Sequence, residues 1–135
     1  MALQFSVGVR NARLDAIETT IGTSAILEIR SGGAPANCAT ADSGTLLASM
    51  TLPSDWLAAA ASGSKSMSGT WQDASANNAG TAGHFRIKDS SGTTCHMQGS
   101  VTASGGGGDM TLDNTSIAAG QQVNITSFTL TDGNA

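Results

Sequence analysis

The chain is 135 residues long with a net charge of −4 and only 12% charged residues, which suits one domain and excludes a protein whose work is neutralising phosphates. Leu, Ile, Val and Phe make up about 17% of it, and the balance is Ala, Gly, Ser, Thr and Asn, a composition for close strand packing and tight turns. No stretch approaches about 18 apolar residues, and the N-terminal MALQFSVGVRN lacks a basic segment followed by a hydrophobic core, so neither a membrane span nor a secretory signal is expected.

In chain order, residues 6–22 place Leu14, Ile17 and Ile21 at helical spacing, with Val7 and Arg10 continuing the stripe upstream and Gly22 as a stop. A helix is expected over 11–20, capped by Ser6 or by Asn11, the latter if Phe5 to Val9 is extended. AILEIR at 25–30 alternates Ala25, Leu27 and Ile29 against Ile26, Glu28 and Arg30, as a half-buried strand does. A long loop, SGGAPANCATADSG, follows. A second strand at 45–52 sets Leu46, Ala48, Met50 and Leu52 on one side and ends at Pro53. Ser54 then reads as the N-cap of a short helix in SDWLAAAA, with Trp56 plugging the end of the core. Strand character returns at 65–71, before the polar loop QDASANNAGTAG.

The clearest segment runs from Ala82 to Val101: two alternating strands around a Ser/Gly/Thr turn. The register that pairs Lys88 with Thr94 sets Ile87 opposite Cys95 and Phe85 opposite Met97 on the apolar face, and Arg86 opposite His96 and His84 opposite Gln98 on the other. ASGGGGDM makes a flexible joint into a short strand at 109–112, and 113–120 makes a turn holding Ile117. In the last strand, 121–131, Val123 and Ile125 differ in parity from Phe128 and Leu130, so a β-bulge is expected near Thr126 and Ser127. A polar tail, DGNA, closes the chain. The expected fold is mainly β: an N-terminal arm and helix over 1–24, then one antiparallel two-sheet sandwich of jelly-roll type over 25–135.

Chemistry-bearing constellations are sparse. A jelly-roll metalloenzyme needs about three histidines and a carboxylate converging on one metal, and the sequence holds only His84 and His96. Asp109 and Asp113 stand at the two ends of one short strand on one parity, but no neighbour would raise either pKa for glycoside hydrolysis, and no nucleophile-elbow motif occurs. The glycine run is not followed by a Lys-Ser/Thr pair. No catalytic, cofactor-binding or metal residues are therefore assigned, and a non-enzymatic protein is expected. Cys38 and Cys95 read as reduced, small, buried side chains unless the loop carrying Cys38 folds over the strand carrying Cys95.

The phrases RNARLDAIE (10–18), LPSDW (52–56), GTW (69–71), HFRIKDSSGTTCHMQGSV (84–101), GGGGDMTLDNTSIAAGQQV (105–123) and FTLTDGNA (128–135) resemble a family of small tailed-bacteriophage and prophage proteins encoded among virion structural genes. What the resemblance implies is a capsid decoration, or cement, protein. Such a protein is made in the host cytoplasm, self-associates as a dimer or trimer, and ties neighbouring subunits of the major capsid protein together on the virion surface, with neither nucleic acid nor membrane as partner. The expected contact residues are Phe5, Val7, Arg10 and Arg13 in the N-terminal segment and Gln72, Asn77 and Asn78 in the 72–81 loop. A tail-associated receptor- or glycan-binding module, with Trp56 and Trp71 stacking on sugars, is the alternative.

Overall fold

The computed structural model describes residues 2–133, so the first residue of the expected arm and the last two of the polar tail lie outside the described residues. One helix, α1 (Val7–Ile21), precedes β1 (Ile26–Ser31), β2 (Leu46–Thr51), β3 (Ser64–Ser66), β4 (Gln72–Asp73), β5 (Gly80–Lys88), β6 (Cys95–Ala103), β7 (Met110–Leu112), β8 (Ser116–Ile117) and β9 (Val123–Thr131). The strands bond in the order β2-β1-β5-β6-β7-β9-β3, with β4 added to β9 and β8 to β5. The mainly β fold with an N-terminal helix is as expected. The purely antiparallel sheet is not: β6 and β7 run parallel, and the strands follow one continuous, curled, mixed sheet instead of two separate antiparallel ones.

Inside the curl, inward residues of nearly every strand meet in one core. Leu27, Ile29, Ala48, Ile87, Met110, Leu112 and Val123 are all fully buried. A run of four aromatics crosses it: Trp56 to Trp71 at 5.9 Å between ring centroids, Trp71 to Phe128 at 5.6 Å, and Phe128 to Phe85 at 5.5 Å edge to face. Tilted and edge-on contacts of this kind each add about 0.5–1.5 kcal/mol beyond area burial. Trp56 thus fills the core as expected, but the SDWLAAAA segment is not helical. Its backbone N–H groups are bonded elsewhere: Leu57 to Glu18 Oε1, Ala58 to the Ser66 carbonyl, Ala60 to Asp15 Oδ1 and Ala61 to the Ser64 carbonyl. Tertiary partners override the helix propensity of the alanine run.

Those bonds also explain α1. It extends back to Val7, past the expected start and into the stretch offered as an extended alternative, because Ser6 Oγ accepts from Val9 N at 3.3 Å as N-cap, and it ends at Gly22 as expected. Leu14 and Ile21 are buried, but the helix also docks by a polar face. Asn11, Asp15 and Glu18, spaced four and three apart, accept from Gly63 N, Ala60 N and Leu57 N, while Lys65 Nζ sits 2.7 Å from Asp15 and 3.0 Å from Glu18. α1 therefore covers the segment leading into the edge strand β3.

The β5–β6 hairpin keeps its expected inward face, with Phe85 and Ile87 buried and Met97 packed on the core. Its register is two residues away from expectation: Phe85 pairs with Gly99 and Ile87 with Met97. A two-residue shift preserves parity, so the hydrophobic pattern alone could not detect it. What selects it is space, since a Cβ on Gly99 would come within 2.8 Å of the Phe85 ring. The turn is lengthened to suit. Asp89 Oδ1 accepts from Thr93 N, Thr94 N and Ser91 Oγ, and a bulge follows in which Lys88 pairs with Cys95. Cys95 is thereby turned away from the apolar face expected of it.

Parallel neighbours normally need a crossover of a dozen or more residues. Here residues 104–109 suffice, because the glycine run folds back against β6. A Cβ on Gly106 would approach Thr102 to 2.7 Å, and one on Gly108 would meet the Thr102 backbone nitrogen at 2.9 Å. Gly108 N donates to Thr102 Oγ1 at 3.0 Å, and Asp109 Oδ2 accepts from Ser100 N and Ser100 Oγ. The expected flexible joint is a tightly bonded turn. The expected bulge in β9 is present: Ser127 pairs with Thr111 and Ile125 with Leu112, leaving Thr126 as the extra residue and both Ile125 and Phe128 inside. Gly108→Ala should lower stability by about 1–3 kcal/mol through this overlap with backbone, whereas Gly33→Ala, with open space around it, should leave it nearly unchanged. Urea unfolding monitored by Trp fluorescence measures both.

Candidate functional site

Of the residues expected to make contacts, two groups emerge. Phe5 and Val7 are 40% and 46% exposed, as are the nearby Leu3 (76%) and Val9 (43%), so the segment around the start of α1 carries four exposed apolar side chains. Arg10 and Arg13 instead work within the fold. Arg10 donates to the Asp132 carbonyl at 3.0 Å, and Arg13 Nε meets Asp132 Oδ2 at 3.0 Å while its guanidinium lies 5.1 Å over the Phe5 ring. These contacts tie the first turns of the helix to the end of β9. In the 72–81 loop, Asn77 N donates to the Leu47 carbonyl at 2.8 Å and Asn78 Nδ2 to the Leu46 carbonyl at 2.9 Å, satisfying the outer edge of β2. Gln72 accepts from Gln122 Nε2 at 3.2 Å on the exposed side of β4. The loop thus covers a sheet edge, and Gln72, Asn77 and Asn78 remain exposed beside it.

A second site lies on the outer face of β1 and β5, and nothing in the sequence reading assembled it. Glu28 and Arg30 on β1 and Arg86 and Lys88 on β5 point the same way, and the 32–44 loop folds over them. Asp42 reaches down from that loop to three cations: Arg86 NH1 at 2.6 Å, Lys88 Nζ at 2.7 Å and Arg30 NH2 at 3.1 Å. Glu28 takes Arg30 Nε at 2.9 Å and Lys88 Nζ at 3.1 Å. Arg86, 2% exposed, also donates to the carbonyls of Cys38 (2.9 Å) and Asn37 (3.4 Å), and Gln98 Nε2 donates to that of Pro35 at 2.7 Å. His84 is fully buried and its Nδ1 lies 2.9 Å from the Gly32 carbonyl; a carbonyl can only accept, so Nδ1 carries the proton. The available signal was the pairing of E-x-R with R-x-K on two strands of a charge-poor chain, opposite one long loop with a single acid.

Electrostatics follow from the geometry. Burial alone would raise the Asp42 pKa, but hydrogen bonds from Lys88 and Arg86 and the charge of Arg30 hold it below the ordinary 3.8. Burial likewise opposes the charge on Lys88, and its bonds to Asp42 and Glu28 prevail, raising its pKa. Lys65 is raised in the same manner by Asp15 and Glu18, and Asp15 is lowered chiefly by its bond from Lys65 and then by Ala60 N. Asp89 is lowered first by Thr93 N and then by Ser91.

The remaining candidates do not converge. His96 lines a cleft of about 280 Å³ beneath α1 with Arg13, Ile17 and Ile21, away from His84, and among the described residues no three metal-ligating side chains gather. Asp109 is engaged by Ser100, and Asp113 accepts from Asn124 Nδ2 at 2.9 Å, each carboxylate bracing its own turn. Trp56 and Trp71 are 0% and 1% exposed, so neither offers a stacking surface. Among the described residues, no helix is long and apolar enough to cross a membrane. Compared with protein-family models, curated proteins and solved structures, the chain matches none.

Asp42→Asn should cost about 2–3 kcal/mol, somewhat below the 3–5 usual for breaking a wholly buried pair, since the Asp42 side chain keeps 31% exposure. A chemical-denaturation midpoint shift reads this directly. The lowered carboxylates give their stability in full above about pH 4 and lose it as pH falls through their folded values; Lys65 and Lys88 give theirs below about pH 10 and lose it as pH rises through their raised values. Tm measured by calorimetry across pH should therefore fall at both ends, and the acid fall should be shallower in Asp42→Asn.

Proposed function

We propose that the protein is a virion structural protein of a tailed phage: a capsid decoration protein that binds the outer shell and links neighbouring subunits of the major capsid protein, without turnover. One observation carries the reading beside the resemblance of the chain. The apolar side chains of Leu3, Phe5, Val7 and Val9 stand exposed, while the other large hydrophobic side chains among the described residues are at least partly buried. Fully burying such a side chain is worth about 1.5–3 kcal/mol. Modest contacts of this size add through effective concentration when several copies meet a repeating lattice. Symmetric self-association as a dimer or trimer would place one such patch against each neighbouring capsid subunit. In this reading the curled sheet is a variant of the two-sheet jelly roll, its two ends wrapped around one core. The glycan-binding alternative lacks its platform, because both tryptophans are consumed by the core.

The test uses substitutions that suit the helix. Val7→Asp places an acid in the first turn, and Val9→Glu completes a capping box with Ser6. The double variant should fold with unchanged or raised Tm and bind expanded shells of the parent phage at least about 10-fold more weakly in co-sedimentation, the loss of one buried valine or more. Binding equal to that of the unaltered chain would overturn the patch as the contact surface. Cryo-electron microscopy of the virion should show copies in the hundreds over the shell; a few copies at the tail would overturn the decoration role.

A further inference from the structure

We infer that Cys38 and Cys95 form a thiol pair that closes to a disulfide on exchange with a low-molecular-weight disulfide such as oxidised glutathione, and that the bond latches the 32–44 loop onto β6. This inference is independent of the role on a capsid.

Both cysteines are free thiols and half-buried. They line one cavity of about 320 Å³ together with Thr40, Asp42, Arg86 and Lys88. Each is delivered there by a feature of the fold. Cys38 sits in an Asx turn in which Asn37 Oδ1 accepts from Ala39 N at 2.9 Å and Thr40 N at 3.0 Å, and its own carbonyl is held by Arg86 at 2.9 Å. Cys95 faces the loop because the bulge beside Lys88 rotates it off the apolar face. Its Sγ donates to the Met97 carbonyl at 3.4 Å, and both cysteines line the same cavity wall beneath the loop. The loop has therefore brought its thiol to the strand without any covalent bond holding it, and 57 positions of chain separate the two cysteines.

The exchange balances in two steps. Either half-buried thiol can open the external disulfide, and the steps are the same with the two exchanged. With Cys95 attacking first, its thiol gives its proton to solvent, its sulfur attacks one glutathione sulfur, the external S–S bond breaks, and one glutathione thiolate leaves and takes up a proton. The Cys38 sulfur, losing its proton, then attacks Cys95 sulfur in the mixed disulfide, and the second glutathione leaves as a thiol. Two protein thiols are oxidised and one glutathione disulfide is reduced to two thiols.

The full chain is incubated with excess oxidised glutathione, and intact mass, peptide mapping and Tm are measured. The expected product is lighter by two hydrogen atoms, contains the peptides of Cys38 and Cys95 joined, and melts about 10 °C higher, the gain for closing a loop of this size in a domain of this length. Cys38→Ser should instead retain glutathione on Cys95 with no rise in Tm, and Cys95→Ser should show no rise either. Stable glutathione adducts on both cysteines, a disulfide between two copies, or thiols that stay unmodified in the native protein would each overturn the inference.

Discussion

Asp42 is the residue on which the outer half of the structure depends. Three cations converge on one carboxylate carried by a loop, and two of them, Arg86 and Lys88, are almost wholly withdrawn from water. Removing such ions from solvent costs several kcal/mol each unless opposite charge and hydrogen bonds answer them. Glu28 from the same sheet supplies one counter-charge, and the loop must supply the other. The loop is consequently no passive connection between β1 and β2. Its backbone carbonyls at Pro35, Asn37 and Cys38 receive Gln98 and Arg86, so the charges that require a cover also hold that cover in place.

This arrangement explains how a chain so poor in large hydrophobic residues keeps a nine-stranded sheet ordered. The aromatic run from Trp56 to Phe85 and the aliphatic residues around it fill the inside of the curl. The outside of β1 and β5 is closed by ion pairs, the edge of β2 by Asn77 and Asn78, and the approach to β3 by the polar face of α1. Exposed apolar side chains are then gathered in the segment around the start of α1, which is tied to the body by the contacts of Arg10 and Arg13 with Asp132.

Much of the sheet was legible in the sequence because a period of two survives burial on one face. β1, β2, β5, β6, β7 and β9, the bulge at Thr126 and the inward residues Leu27, Ile29, Ala48, Met50, Phe85, Ile87, Met110 and Leu112 follow from alternation and parity, whereas Leu47, fully buried on the other side of β2, does not. What escaped depends on contacts distant along the chain. The SDWLAAAA segment has helical propensity, yet Asp15 and Glu18 claim its N–H groups from some forty positions upstream. The hairpin register turns on the fit of Gly99 to the Phe85 ring, which parity cannot sense, and the parallel pairing of β6 with β7 turns on how tightly glycines 106 and 108 fold against Thr102. Of the expected contact residues, Phe5 and Val7 were readable as apolar positions, whereas the pairing of Arg10 and Arg13 with Asp132 was not, because that partner lies more than a hundred positions away in the sequence. The charge cluster was hidden for the same reason: Asp42 stands in a loop with no periodicity.

The central claim is that Asp42 and Arg86 stabilise the fold through each other across the loop–sheet boundary, and a double-mutant cycle on the two tests it most directly. Unfolding free energies of Asp42→Ala, Arg86→Met and the double variant should reveal a coupling of about 2 kcal/mol or more, the double variant being far less damaged than the sum of the single ones. Effects that add within about 0.5 kcal/mol would show the two residues to be energetically independent and would contradict the account.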